Sequence, residues 1–236
     1  MRLFRTLTLA AASLVLAALA AALATGRGAL PDRWNPFAPL TIAEPPNLLT
    51  RYKLERLSRE PAACLAVLAG AGLPYSAVVP DHDAGDGCGW RNAVRLGGAP
   101  SLPLAPVVLL SCPAAVSLAL WERHAVQPLA LRHFGRRVVQ IEHLGSYACR
   151  NVEGDPRGRR SRHATADAID VSGVVLVGGR RVRVASGWNA RGADAQFLRE
   201  LHDGACPFFD AVLGPEYNAA HRDHFHLDRG SHGVCR

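Results

Sequence analysis

Residues 168–186 read AIDVSGVVLVGGRRVRVAS. Two runs rich in Val flank the pair Gly178-Gly179, and glycine tolerates the positive φ that a two-residue hairpin turn demands. The pattern predicts a β-hairpin from Ala168 to Ser186. Working outward, HFHLD at residues 224–228 reads as a short strand, and YSAVVP (75–80) and RNAVRLG (91–97) as two more around a turn-rich loop, DHDAGDGCGW (81–90). RRVVQIEHLGSYACR (136–150) reads as a strand running out into a loop. Helical periodicity marks RYKLERLSREPAACLAVLAGAGL (51–73), with Pro61 breaking it or opening a second helix. It also marks residues 114–135, a long amphipathic pattern with Leu118, Trp121, Val126, Leu129 and Phe134 among its apolar positions. GADAQFLRELHDGAC (192–206) places Phe197, Leu198 and Leu201 on one helix face. Helices come mainly first and strands mainly later, which predicts an α+β fold rather than alternating α/β.

The chain opens with Arg2 and Arg5 ahead of an uncharged Ala/Leu run, Thr6 to Thr25, followed by Arg27. That layout predicts an export signal over residues 1–25. The run is also long enough to serve as a membrane anchor if it is retained, and Ala22-Leu23-Ala24 offers a small-x-small cleavage site. Residues 26–47 hold five prolines and read as an extended linker or arm, which leaves 48–236 as one domain with room for a real core. The expected location is outside the cytoplasm, periplasmic or membrane-anchored and facing the cell wall.

Six cysteines, Cys64, Cys88, Cys112, Cys149, Cys206 and Cys235, fit that location. None forms a C-x-x-C, so a thiolate zinc finger is disfavoured and up to three disulfides are expected. Cys206–Cys235 is the favoured pair, since it would clasp the histidine-rich segment between its ends. The formal net charge of +7 falls by two if residues 1–25 are removed. A basic exported protein is drawn to anionic polymer or headgroups, whereas export and an aromatic content of 6% argue against nucleic acid. Asp81, Asp83 and Asp86 lack the downstream bidentate Glu of a calcium loop and read as a polar turn.

Chemistry concentrates in RSRHATADAIDV (160–171) and AAHRDHFHLD (219–228). On a strand, residues two apart face one side, so His224 and His226 point together. Burying two imidazoles side by side is costly without a shared partner. His163, in the loop feeding the hairpin, and Asp170, on its first strand, can converge on the same point. Two His and one carboxylate leave a fourth tetrahedral position open, the donor set of a catalytic rather than a structural zinc. A metal-free reading, with the histidines satisfied by core hydrogen bonds, leaves His224 and His226 only Asp223 or Asp228 as charge partners.

Ser161 to Asp170 resembles the S-x-H-x-x-G-x-A-x-D motif of the D-Ala-D-Ala carboxypeptidase and hedgehog group of zinc peptidases, with Ala166 in place of the glycine. Residues 223–226, DHFH, resemble that group's second zinc motif, and GSYACR (145–150) the segment carrying its arginine. The order of the whole set, with the RWNPFAPL arm (33–40), resembles the bacterial extensin-like C-terminal domain family. The resemblance implies a hedgehog/DD-peptidase-like antiparallel sheet with flanking helices, linked by disulfides. It implies zinc held by His163, Asp170 and His226, and a catalytic base at Asp223, where the group usually has Glu. It gives His224 or His221 as the base or stabiliser instead, Arg150 to bind a substrate carboxylate or polarise the carbonyl, and Ser161 to orient a ligand or substrate. The activity implied is hydrolysis of peptidoglycan stem peptides, as a D,D-carboxypeptidase or endopeptidase. The alternative is a zinc-binding but inactive module that binds or braces the wall.

Overall fold

In the computed structural model, residues 30–71, 75–99, 102–230 and 233–236 are described, together with isolated positions between 11 and 21. The expected export segment at residues 1–25 therefore lies outside the described residues but for those positions. Among the described residues no helix is long and apolar enough to cross a membrane. The chain divides into two compact units, residues 1–38 and 39–236. In the first, a short 3-10 turn spans Asp32–Trp34, with the Arg33 guanidinium 5.7 Å from the Trp34 ring centre.

The second unit opens with helices α1 (Thr50–Leu57) and α2 (Pro61–Gly70), separated at Pro61, which stands at the first helical position where a missing N–H costs nothing. Ile42, ahead of α1, is buried in the core, and its carbonyl meets His124 Nε2 at 2.9 Å. Strands β1 (Tyr75–Val79), β2 (His82–Gly85), β3 (Cys88–Trp90), β4 (Ala93–Ala99) and β5 (Leu102–Ser111) follow. Helix α3 (Cys112–Trp121), a five-residue π-turn (Glu122–Val126) and α4 (Gln127–Phe134) lead to β6 (Val138–Gly145). Next come β7 (Ala168–Leu176), β8 (Arg181–Arg183), a single helical turn (Val184–Gly187), α5 (Ala193–Asp203), β9 (Ala211–Leu213), β10 (Phe225–Asp228) and β11 (Val234–Cys235).

The architecture is α+β, as the order of elements predicts. The main sheet runs β1-β4-β5-β6-β7-β10-β9-β11, with β8 added to β7, and is antiparallel except for the β5–β6 and β9–β11 pairs. β7 is its axis. One edge pairs with β6; the other pairs with β10 along residues 168–171 and with β8 along residues 173–175. Phe225, Leu227, Ile169, Val171 and Val174 are buried with α3 and α5 side chains in one core. Each such side chain contributes about 1.5–3 kcal/mol relative to an exposed one.

Several expectations are corrected. The hairpin holds, but β8 stops at Arg183 rather than Ser186, because Val184 turns into helix. DHDAGDGCGW is not a plain loop: β2 and β3 pair as a small separate hairpin, with Asp86 in left-handed backbone at its tip. The 114–135 pattern is not one amphipathic helix. All ten residues of α3 are buried, and the π-turn intervenes ahead of Pro128, which has no N–H for a helical carbonyl and crowds it. β5 was not foreseen, since Pro103 and Pro106 depress every strand signal in its sequence.

Three disulfides, Cys64–Cys112, Cys88–Cys149 and Cys206–Cys235, account for all six cysteines. The third is the expected clasp. The second ties β3 to the loop that follows β6 and carries Arg150.

Candidate metal centre

His163 lies in a 3-10 turn, Arg162–Thr165, that enters β7. Ser161 caps it: its Oγ accepts from the His163 backbone N–H at 3.3 Å. The Ser161 hydroxyl is therefore engaged in holding the turn, and through it the imidazole. The turn ends at Ala166, in left-handed backbone (φ 57°, ψ 23°). The residue standing where the resemblance has glycine thus adopts a conformation that favours glycine. Left-handed backbone costs a non-glycine residue about 1–2 kcal/mol, while the buried methyl returns about 0.8 kcal/mol. Ala166→Gly should accordingly change unfolding free energy by no more than about 1 kcal/mol, measured by urea denaturation; a loss of several kcal/mol would show the methyl to be a packing element.

Strand pairing brings the second and third donors together. Asp170 on β7 and His226 on β10 are direct partners in the register. His163 Nε2 stands 3.0 Å from Asp170 Oδ1 and 3.1 Å from His226 Nδ1, and His226 Nδ1 stands 3.0 Å from Asp170 Oδ1. All three residues are buried, and their ligand atoms lie within 4.8 Å of one another. A second group, His202, Asp203 and Cys235, also gathers, but Cys235 is locked in a disulfide and offers no thiolate.

The outward ring nitrogens decide what the inward ones can do. His163 Nδ1 faces the Ser146 carbonyl, which only accepts, so Nδ1 carries the proton and Nε2 keeps a lone pair. His226 Nε2 meets Asp228 Oδ2 at 3.1 Å and donates to it, which leaves Nδ1 the lone pair in the neutral ring. Asp170 is a third acceptor. In the neutral-imidazole state, three lone-pair atoms face one another with no proton among them, an arrangement that a shared cation would satisfy. This is the arrangement in which a ligating histidine donates its other N–H to a carbonyl or carboxylate. The donor set fits zinc.

Without a cation, protons must fill the gap. Burial works against both charges, but hydrogen bonds from His163 and His226 and their positive charge hold the Asp170 carboxyl well below the usual range. Burial likewise opposes a charged His226, yet the flanking Asp170 and Asp228 carboxylates push it up to about 9. In the metal-free protein His226 is therefore an imidazolium between two carboxylates.

His224 borders the centre. Its Nε2 is 3.6 Å from Asp170 Oδ1, while its Nδ1 meets Asp223 Oδ1 at 2.9 Å. Asp223 is turned towards that imidazole, a contact that holds its carboxyl below the usual range. His221 stacks near both, its ring centre 5.3 Å from that of His224 and 5.9 Å from that of His226. Burial and its two histidine neighbours push it down to about 4, and its Nδ1 is 2.7 Å from Asn218 Oδ1. Arg150 reaches Asp170 Oδ2 at 3.8 Å with nearly half its side chain exposed, so its guanidinium faces both the centre and solvent. The structure thus gathers His163, Asp170, His224, His226, His221 and Arg150 at one place, with Asp223 behind His224 and Ser161 behind His163. Of the two supports, one was missed and the other was named from the sequence only as a charge partner in the metal-free reading. The Ser146 carbonyl left no signal, whereas Asp228, two residues from His226 on one strand, follows from the same alternation that paired His224 with His226.

A family model described as the extensin-like protein C-terminus matches residues 62–236. No curated protein and no solved structure matches the chain.

Proposed function

The chain belongs to the extensin-like protein C-terminal family, and we propose that it is a zinc-dependent peptidase acting on peptidoglycan stem peptides. The observation that carries the reading is the convergence of His163 Nε2, Asp170 Oδ1 and His226 Nδ1 within 3.1 Å, with both outward nitrogens already hydrogen-bonded. Zinc held by these residues would supply Lewis acidity that activates water and polarises an amide carbonyl.

The chain's own groups then divide the remaining work. His224 is the proton carrier: Asp223 holds its Nδ1–H, so Nε2 is the free basic atom directed at the centre. The usual carboxylate base of the resembling peptidases is here one carbon shorter and spent on orienting an imidazole. His221, kept neutral at physiological pH with its Nδ1–H donated to Asn218 Oδ1, offers Nε2 as a hydrogen-bond acceptor without adding charge. Arg150 offers its exposed guanidinium to a substrate carboxylate. The basic balance of the chain and the export pattern at its start support an anionic wall polymer as substrate.

The test pairs elemental analysis with digestion of purified peptidoglycan by the full chain, wild type and variants. Wild type should carry zinc and release stem-peptide fragments. His224→Ala should keep its zinc and lose at least about a hundredfold in kcat, with Asp223→Ala losing less. Zinc without fragments would support an inactive wall-binding module, and a larger loss in Asp223→Ala than in His224→Ala would transfer the base to Asp223.

A further inference from the structure

A cleft of about 920 Å³ opens beyond the turn that carries His163, and the centre described above makes no use of it. That volume suits a small-molecule ligand. Its rim is the β2–β3 hairpin, which the Cys88–Cys149 disulfide fastens to the loop after β6. Inside lie the start of α3 and the segment Thr165–Asp167.

Three features define what would fit. First, the charge runs against that of the whole molecule. In a chain of net charge +7 the cleft is lined by five carboxylates and two guanidiniums. Arg229 pairs with both Asp210 and Glu55, and Arg51 on Asp210 and Arg59 on Glu55 complete the neutralisation of that wall. Asp81, Asp83 and Asp167 meet no side-chain cation in salt-bridge range among the described residues. Asp81 accepts from the Asn92 N–H at 2.8 Å, Asp83 from the Gly85 N–H at 2.9 Å, and Asp167 from the Thr165 hydroxyl at 2.6 Å. Burial pushes the Asp167 carboxyl up, against the opposing pull of the Ser111 and Thr165 hydroxyls and of Arg162 at longer range. A low-dielectric cleft lined by one sign of charge concentrates the opposite one.

Second, Ser111 is 4% exposed and lines the cleft, and its Oγ lies close enough to the Asp167 carboxylate to favour the charged form without completing a hydrogen bond of good geometry. A buried hydroxyl in that state is the mark of a missing partner. Third, part of the lining is aromatic and apolar. Trp90 is fixed by its Nε1 donating to the Pro80 carbonyl at 3.0 Å, His82 stacks on it at 4.6 Å between ring centres, and Pro113 adjoins.

We infer that this cleft is a second binding site that takes a primary ammonium group on a short aliphatic or sugar stem. The ammonium donates to Asp167 and Ser111 while Asp81 adds charge at the mouth and Trp90 covers the stem. An ammonium has three donors and no acceptor, which matches a hydroxyl and a carboxylate that both want protons. An aromatic face adds cation–π attraction. Two sources share this chemistry, the side-chain amine of a diamino acid in a peptide and the free amine of an amino sugar. The inference stands apart from the peptidase reading: the cleft could hold its ligand with the metal centre active or silent.

The experiment is calorimetric titration of the full chain with Nα-acetyl-lysine amide and with glucosamine, each against its N-acetylated counterpart. The indole N–H resonance of Trp90 is followed in parallel. At least one free amine should bind about tenfold or more tightly than its acetylated form and shift the Trp90 signal; which one does so identifies the source. Asp167→Asn should weaken that binding by about tenfold or more without changing zinc content. Asp81→Asn, which keeps the acceptor for Asn92 and so leaves the fold intact, should weaken it several-fold. Equal affinity for amine and acetylated probe, unaltered binding in both variants, or no binding of either amine would overturn the inference. Loss of zinc in His163→Ala with amine binding retained would separate this site from the metal centre.

Discussion

Asp170→Ala should empty the metal centre and loosen the fold that surrounds it. In the metal-free protein the Asp170 carboxylate is held by His163 and His226, with His224 and Arg150 at slightly greater distance. Removing it leaves a buried imidazolium with only Asp228 for company, and breaking a buried charge pair in this way costs about 3–5 kcal/mol. Urea denaturation of chelator-treated wild type and variant measures that loss, and elemental analysis should find zinc gone from the variant. The pH dependence follows from the same contact. The folded-state pKa of Asp170 is depressed, so its contribution is present above the ordinary carboxylate value near 4 and fades as pH falls. A variant that retains zinc and full stability would remove Asp170 from the ligand set.

Zinc binding should also expel a proton from His226. With its pKa pushed up to about 9, this residue is an imidazolium at pH 7 in the metal-free protein, and a ligand must give up the proton on the atom it donates. Calorimetry at pH 7 in buffers of different ionisation enthalpy should register release of about one proton per ion. Affinity should rise with pH until about 9. The metal-free fold responds in the opposite sense. A raised folded-state pKa contributes stability that is complete below about 6.5 and is lost as pH climbs through about 9, on the order of 3 kcal/mol for a shift of this size. Zinc uptake without proton release at pH 7 would mean that His226 Nδ1 is not a ligand.

What the sequence disclosed depended on how local each signal is. Each half of the centre, His163 with Asp170 and His224 with His226, was marked by a short-range pattern, while the choice of His226 and the meeting of the two halves rested on the resemblance. The β7–β8 hairpin was legible from Gly178-Gly179, likewise a local pattern. The Cys206–Cys235 clasp could be favoured because both cysteines bracket one segment, whereas Cys64–Cys112 and Cys88–Cys149 join segments with nothing local to relate them. β5 stayed hidden because two prolines suppress its pattern. Its register with β4 comes from long-range pairing and packing over α3. The sequence offered Asp223 both as a charge partner of His224 or His226 and, by the resemblance, as a base. Its turn towards His224 was not legible, since adjacent residues on an extended chain normally point apart and only the bend just before β10 brings these two together.

The direct pairing of Asp170 with His226 has one more consequence. A slip of a single residue between β7 and β10 would turn one of the two donors to the opposite face of the sheet. Only the native alignment can offer all three ligand atoms together. A cation that binds there therefore proofreads the assembly of the sheet, rewarding chains whose two central strands have met in the correct frame and passing over those that have not.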